Sequence, residues 1–157
     1  MAATNALDLA RGQGRLRIRK GHLLRMPLFG GLSRYLSMLL PGFGYASQGE
    51  FNATFKVADG RIESDDMHLL GQLISLSGKG SVGFDGSLDV TVQVRFLKEG
   101  LTADVVRFLT SPLTTALEFQ LSGTVQDPKW RPFNAPVRLL DFFNRQLSRP
   151  FGGGKKE

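Results

Sequence analysis

Two Asp-Gly dipeptides, Asp59-Gly60 and Asp85-Gly86, constrain this chain more than any other feature. Each lies between runs of alternating apolar and polar residues, a strong hairpin signal because glycine accepts the positive φ that tight turns demand. Phe51, Ala53, Phe55 and Val57 share one face of the strand entering the first turn. Leu76, Val82 and Phe84 share a face before the second turn. Leu88, Val90, Val92, Val94 and Phe96 do so after it, with Asp89, Thr91, Gln93 and Arg95 opposite. The stretch therefore reads as an antiparallel meander with one apolar and one polar side.

The turns also predict register. A two-residue loop at Asp59-Gly60 pairs Val57 with Ile62, but continuing that pairing turns Met67 and Leu69 to solvent. One extra residue near Ser64-Asp65-Asp66 returns them to the apolar face, so a β-bulge is expected there. At the second turn a three-residue loop keeps the faces in phase, pairing Phe84 with Leu88, Val82 with Val90, Gly80 with Val92 and Gly78 with Val94. That leaves a glycine trough at Gly78 and Gly80, suited to close helix packing or to a ligand chain.

Elsewhere, Gly14 to Lys20 alternates Leu16 and Ile18 with Arg15, Arg17 and Arg19 and reads as an edge strand, where basic side chains discourage unwanted pairing. Leu28, Leu32, Tyr35, Leu36 and Leu39 follow helical spacing between Pro27 and Pro41. This helix is expected to lie on the apolar face, over the trough, as a plug. A shorter helical pattern covers 101–109. Leu117, Phe119, Leu121 and Val125 alternate as a last strand, Trp130 falls in an irregular connection between prolines, and a final helix runs from Pro136 to about Leu147. Residues 1–11 read as a polar lead-in, 12–148 as a single domain and 149–157 as a disordered basic tail.

A chain of 157 residues is long enough for a substantial core. It has no cysteine, which removes disulfides and thiolate metal sites. The net charge of +6 is unevenly placed, with seven bases and one acid in residues 1–35 and an acidic middle. Basic ends suggest contact with an anionic surface. No secretory signal is expected, because Asp8 interrupts the first residues and no apolar run follows. The uncharged run from Tyr35 to Gly49 falls short of the roughly 20 residues that span a bilayer.

The residues propose no enzyme. His22 and His68 stand alone, without metal-ligand spacing. Glu63, Asp65 and Asp66 lack the pattern of a calcium loop, and Gly78-Lys79-Gly80 lacks the Gly-Lys-Ser/Thr of a phosphate loop. Nucleic acid is an unfavoured partner, since no aromatics are interleaved with Arg15, Arg17, Arg19 and Lys20.

The run from Phe51 to Ile62, the Leu69-Leu70-Gly71 step, the passage from Ser77 to Asp89 and the closing Leu121 to Trp130 together resemble the C-terminal region of AsmA-like proteins. The likeness spans roughly Gly14 to Pro132. It implies an envelope protein of diderm bacteria, a β-sheet groove with a hydrophobic lining of the bridge-like lipid-transfer kind, and a periplasmic or envelope location. No anchor is expected in this sequence, and it is too short to span a periplasm, so it reads as an excised domain or a small free-standing relative.

The expected fold is α+β and β-dominated: a twisted, mainly antiparallel meander of about six strands, its apolar face or groove partly covered by two or three short helices. The expected function is a non-enzymatic, cofactor-free module that shields phospholipid acyl chains. Phe51, Phe55, Val57, Val82, Phe84, Val90, Val92, Val94, Phe119 and Leu121 would line the groove. Arg15, Arg17, Arg19, Arg138, Arg145 and Arg149 would meet headgroups or an anionic membrane surface, and the rest of a larger envelope protein is a further partner. The alternative is a structural cap or docking domain whose apolar face is filled by its own helices.

Overall fold

Turn chemistry sets the sheet. In the computed structural model, which describes residues 6, 8–39, 48–97, 117–135 and 137–148, Asp59 and Gly60 take φ of 52° and 70°. Two consecutive left-handed residues make the tight hairpin loop whose twist matches its strands, and Val57 faces Ile62 as predicted. Seven strands follow one another in space as they do in sequence. They are β1 (Gly12–Gly21), β2 (Gly49–Ala58), β3 (Arg61–Gly71), β4 (Ile74–Gly83), β5 (Leu88–Phe96), β6 (Leu117–Gly123) and β7 (Pro128–Asn134). Every neighbouring pair is antiparallel. Two helices, α1 (Gly30–Leu39) and α2 (Val137–Leu147), complete the described α+β fold.

The expected bulge is present. Lys56 pairs with Glu63 but Asn52 pairs with His68, so β3 carries one extra residue between them. Leu69 is thereby buried and Met67 packs against the core.

At the second turn the register differs from expectation by two residues. Val82 pairs with Leu88, Gly80 with Val90 and Gly78 with Val92. The loop is Phe84-Asp85-Gly86, with Gly86 at φ 86°. Such a three-residue loop needs its left-handed residue last, and the expected loop would have put Ser87 there. The Gly86 N–H donates to the Gly83 carbonyl at 2.9 Å, and Asp85 Oδ1 accepts from Ser87 N at 3.0 Å and from Ser87 Oγ at 2.6 Å. A shift of two residues preserves the faces, but Phe84 moves out of the strand into the turn.

Trp130 is also placed differently: the segment read as irregular is β7, the seventh strand. Pro128 and Pro132 disguise it in the sequence, and they are tolerated because β7 is an edge strand.

Leu32, Leu36 and Leu39 of α1 are buried on the apolar face, as the helical spacing requires. The helix does not sit over Gly78 and Gly80. Met67 covers Gly78, and a Cβ on Gly80 would run into the carbonyl oxygen of Asp89 on the neighbouring strand. Those glycines serve the sheet. The close approach comes at Gly31, where a Cβ would stand 2.9 Å from Trp130 Cδ1. The Trp130 indole N–H donates to the Leu28 carbonyl at 2.7 Å, and Tyr35 packs its ring on Phe119 and Phe143 with centroids 5.4 and 5.0 Å away. Each large apolar side chain fully buried in this way contributes about 1.5–3 kcal/mol. The helical pattern over 101–109 and the tail 149–157 lie outside the described residues.

Candidate ligand-binding face

Strand alternation sends one set of side chains from every strand to the apolar side, and the register ties these sets into rows. One row runs Ile18, Phe51, Leu69, Leu76, Val94, Leu117. The next contains Met67, Gly78, Val92, Phe119 and Pro132. In these rows Leu69, Leu76, Val92, Val94, Leu117 and Phe119 are buried in one cluster with Leu32, Leu36 and Phe143 of the two helices. Val90 and Leu121 belong to the same cluster. Five of the expected lining residues, Val90, Val92, Val94, Phe119 and Leu121, are thus core side chains.

The other five lie differently. Phe51 is half-buried and packs against the core. Phe55, Val57 and Val82 are half-buried toward the hairpin end of β2 to β4, and Val82 also packs against the core. Phe84, in its turn, is 38% exposed. Val57, Ile62 and Val82 make a continuous row across three strands, and Ile62 in its middle is 38% exposed. On the β1 side, Leu16 is 46% exposed. The Phe55 ring lies over Gly14, where a Cβ would come within 2.6 Å of Phe55 Cζ. The apolar face is therefore filled at its β4 to β7 side and partly open at the hairpin end of β1 to β4. Leu16 and Ile62 join this open strip beyond the expected lining residues, and alternation and the Val57–Ile62 pairing place them on its face.

On the polar side, Arg15 and Arg17 stand exposed along β1, with Arg19 exposed in its bulge. Arg17 Nε donates to Glu50 Oε1 at 2.8 Å, and its Nη2 to the same oxygen. Those bonds, and the positive charge of Arg17, hold the Glu50 carboxyl below its ordinary range. Arg145 is exposed on α2, Arg138 lies within α2, and Arg149 falls outside the described residues. A concavity lies mainly on the polar side, a trough of about 480 Å³ whose lining includes Lys56, Glu63, Asp65, Lys79, Asp89 and Thr91 and which Phe55 also borders. Sequence patterning gives no sign of it, because its lining comes together across four strands beside the β3 bulge.

Among the described residues no group of three or more His, Asp or Glu could hold a metal ion, and no helix is long and apolar enough to cross a membrane. Neither histidine joins such a group: the His68 Nδ1 is 3.4 Å from Ser77 Oγ, and the His22 Nε2 is 3.3 Å from Gln48 Nε2. Comparison of the chain with protein-family models, curated proteins and solved structures finds no match.

Proposed function

We propose that this domain is a non-enzymatic module that shelters acyl chains of a membrane lipid on the open strip of its apolar face. The observation that carries the reading is the row Val57–Ile62–Val82, which continues the hydrophobic core laterally, Val82 packing against it, and leaves Ile62 38% exposed. An acyl chain laid along it escapes water, at about 0.8 kcal/mol per methylene, and needs no cofactor or chemical step. The helix-covered side is packed core, which leaves the hairpin end and Leu16 as the surface offered to a lipid. The basic side chains of β1 and α2 would meet anionic headgroups, consistent with a place at an envelope membrane and with the resemblance to AsmA-like proteins.

A second reading, a docking or capping domain whose apolar face its own helices fill, is favoured by the complete burial of Leu32, Leu36, Val94 and Phe119. Native mass spectrometry of the chain after incubation with phosphatidylglycerol and phosphatidylethanolamine vesicles separates the two. Adducts of lipid mass on the wild type, lost in Ile62→Glu with unchanged melting temperature, support the shelter. Absence of adducts on the folded wild type would leave the docking reading in its place.

A further inference from the structure

The sheet ends differently at its two edges. β7 spans seven residues and carries Pro128 and Pro132, which have no N–H to offer a further strand. Trp130 also ties that edge to the segment before α1 through the Leu28 carbonyl. β1 spans ten residues, contains no proline and pairs only with β2, in unbroken register from Gly12 to Ile18 and with a bulge before Gly21. Among the described residues, no backbone hydrogen bond reaches the outer side of β1. A long unpaired edge is a template for another strand.

The side chains of β1 specify which strand. Arg15 and Arg17 lie on the polar side, and Leu16 and Ile18 on the apolar side, with Arg19 following exposed in the bulge before Gly21. Arg17 is ion-paired with Glu50, which also feels the charge of Arg19 from beyond ion-pair distance, whereas Arg15 has no ion pair among the described residues. A second β1 laid alongside would bring arginine against arginine, and like charges across a strand pair are destabilising. A segment alternating acidic and apolar residues does the reverse. Its carboxylates meet Arg15 and Arg19, while its apolar residues extend the row of Leu16 and Ile18.

We infer that the β1 edge is a docking site for an extended segment of another polypeptide that alternates acidic and apolar residues, taken up as an additional strand. Main-chain bonds supply affinity in such strand addition, and the side-chain pattern supplies selectivity. The arginines thus reject a second copy of this chain while admitting an acidic partner. The inference does not rest on the acyl-chain reading, although an added strand would also widen the open apolar strip.

The test uses two capped peptides as long as β1, one alternating Val and Glu and one alternating Val and Lys, titrated into the isotope-labelled full chain. The Val/Glu peptide is expected to slow amide exchange across Gly12–Gly21. The Val/Lys peptide should bind at least about tenfold more weakly, since two cross-strand charge pairs turn from attractive to repulsive. In Arg15→Glu/Arg19→Glu the preference should invert. The wild-type pair of titrations decides the matter even if that double variant is unstable. Equal binding of the two peptides, no slowing at millimolar Val/Glu peptide, or slowing of β1 exchange by raising the protein concentration alone would each overturn the proposal, the last assigning the edge to a second copy.

Discussion

Asp66 stands in for a missing rung between β2 and β3. Its Oδ1 accepts the Thr54 backbone N–H at 2.7 Å and its Oδ2 the Thr54 hydroxyl at 2.6 Å, opposite the bulge that displaces the regular ladder. Ser64 Oγ adds a third bond to Oδ1 at 3.2 Å. The hydroxyl and backbone bonds from Thr54 lower the Asp66 pKa from its ordinary 3.8. Asp85 is lowered in the same way by the hydroxyl and backbone N–H of Ser87.

These depressed values set an acid-side prediction. A carboxyl whose folded pKa lies below its unfolded one stabilises fully above the unfolded value and loses that contribution as pH falls through the folded one. The ordinary values are 3.8 for Asp66 and Asp85 and 4.5 for Glu50. Melting temperatures should therefore hold from neutrality down to about pH 5 and fall below pH 4. Asp66→Asn should melt lower than wild type at pH 7, with the gap closing in acid. A gap that stays constant from pH 7 to below pH 3 would show that the carboxylate charge plays no part.

The apolar and polar assignments within β5 can be separated at two adjacent positions. Val92 is buried beneath the helices and Thr91 faces the polar side. Val92→Asp places an unpaired charge in the core, and about 4 kcal/mol or more should be lost. Thr91→Asp should change stability by about 0.5 kcal/mol. Urea denaturation followed by circular dichroism measures both, and similar midpoints for the two variants would contradict the face assignment.

Two neighbouring glycines in α1 should respond with opposite sign. A Cβ on Gly30 meets nothing within 4 Å, whereas one on Gly31 meets the Trp130 ring at 2.9 Å. Gly30→Ala should stabilise by about 0.5–1 kcal/mol through helix propensity alone. In Gly31→Ala that gain is opposed by displacement of Trp130 from its bond to the Leu28 carbonyl, and the net change should be destabilising. Trp130 is the single tryptophan, so a shifted emission maximum in Gly31→Ala, absent in Gly30→Ala, reports the same event.

What could be read from the sequence follows from which constraints are local. The bulge was legible because Met67 and Leu69 have the wrong parity without it. The second hairpin was legible only in part: alternation is satisfied by either of two registers two residues apart, and the backbone demand of Gly86 chooses between them. β7 was hidden by Pro128 and Pro132, whose meaning depends on its being an edge. The division of the apolar face into a filled and an open part could not be read at all. It depends on where α1 lands, and Gly31 meets Trp130 across a long separation in the chain.

That landing decides how α1 should respond to lipid. The sequence suggests a plug over Gly78 and Gly80 that lipid displaces or enters beside, whereas α1 is held by Trp130, by Tyr35 against Phe119 and Phe143, and by the Ser33 hydroxyl, which donates to the Leu24 carbonyl at 2.6 Å. Displacing it would expose Leu32, Leu36 and Leu39 together, at about 1.5–3 kcal/mol for each side chain. A lipid that required this opening would find only a small competent fraction and bind correspondingly weakly. Lipid is instead expected on the strip of Val57, Ile62 and Val82, with α1 left in place. In hydrogen exchange with and without phosphatidylglycerol vesicles, amides of Leu32–Leu39 should be protected in both states. New protection should appear around Val57–Ile62 and weaken as salt screens the anionic surface. Loss of protection in α1 on adding lipid, with none gained at the first hairpin, would move the lipid site beneath the helix and overturn the open-strip reading.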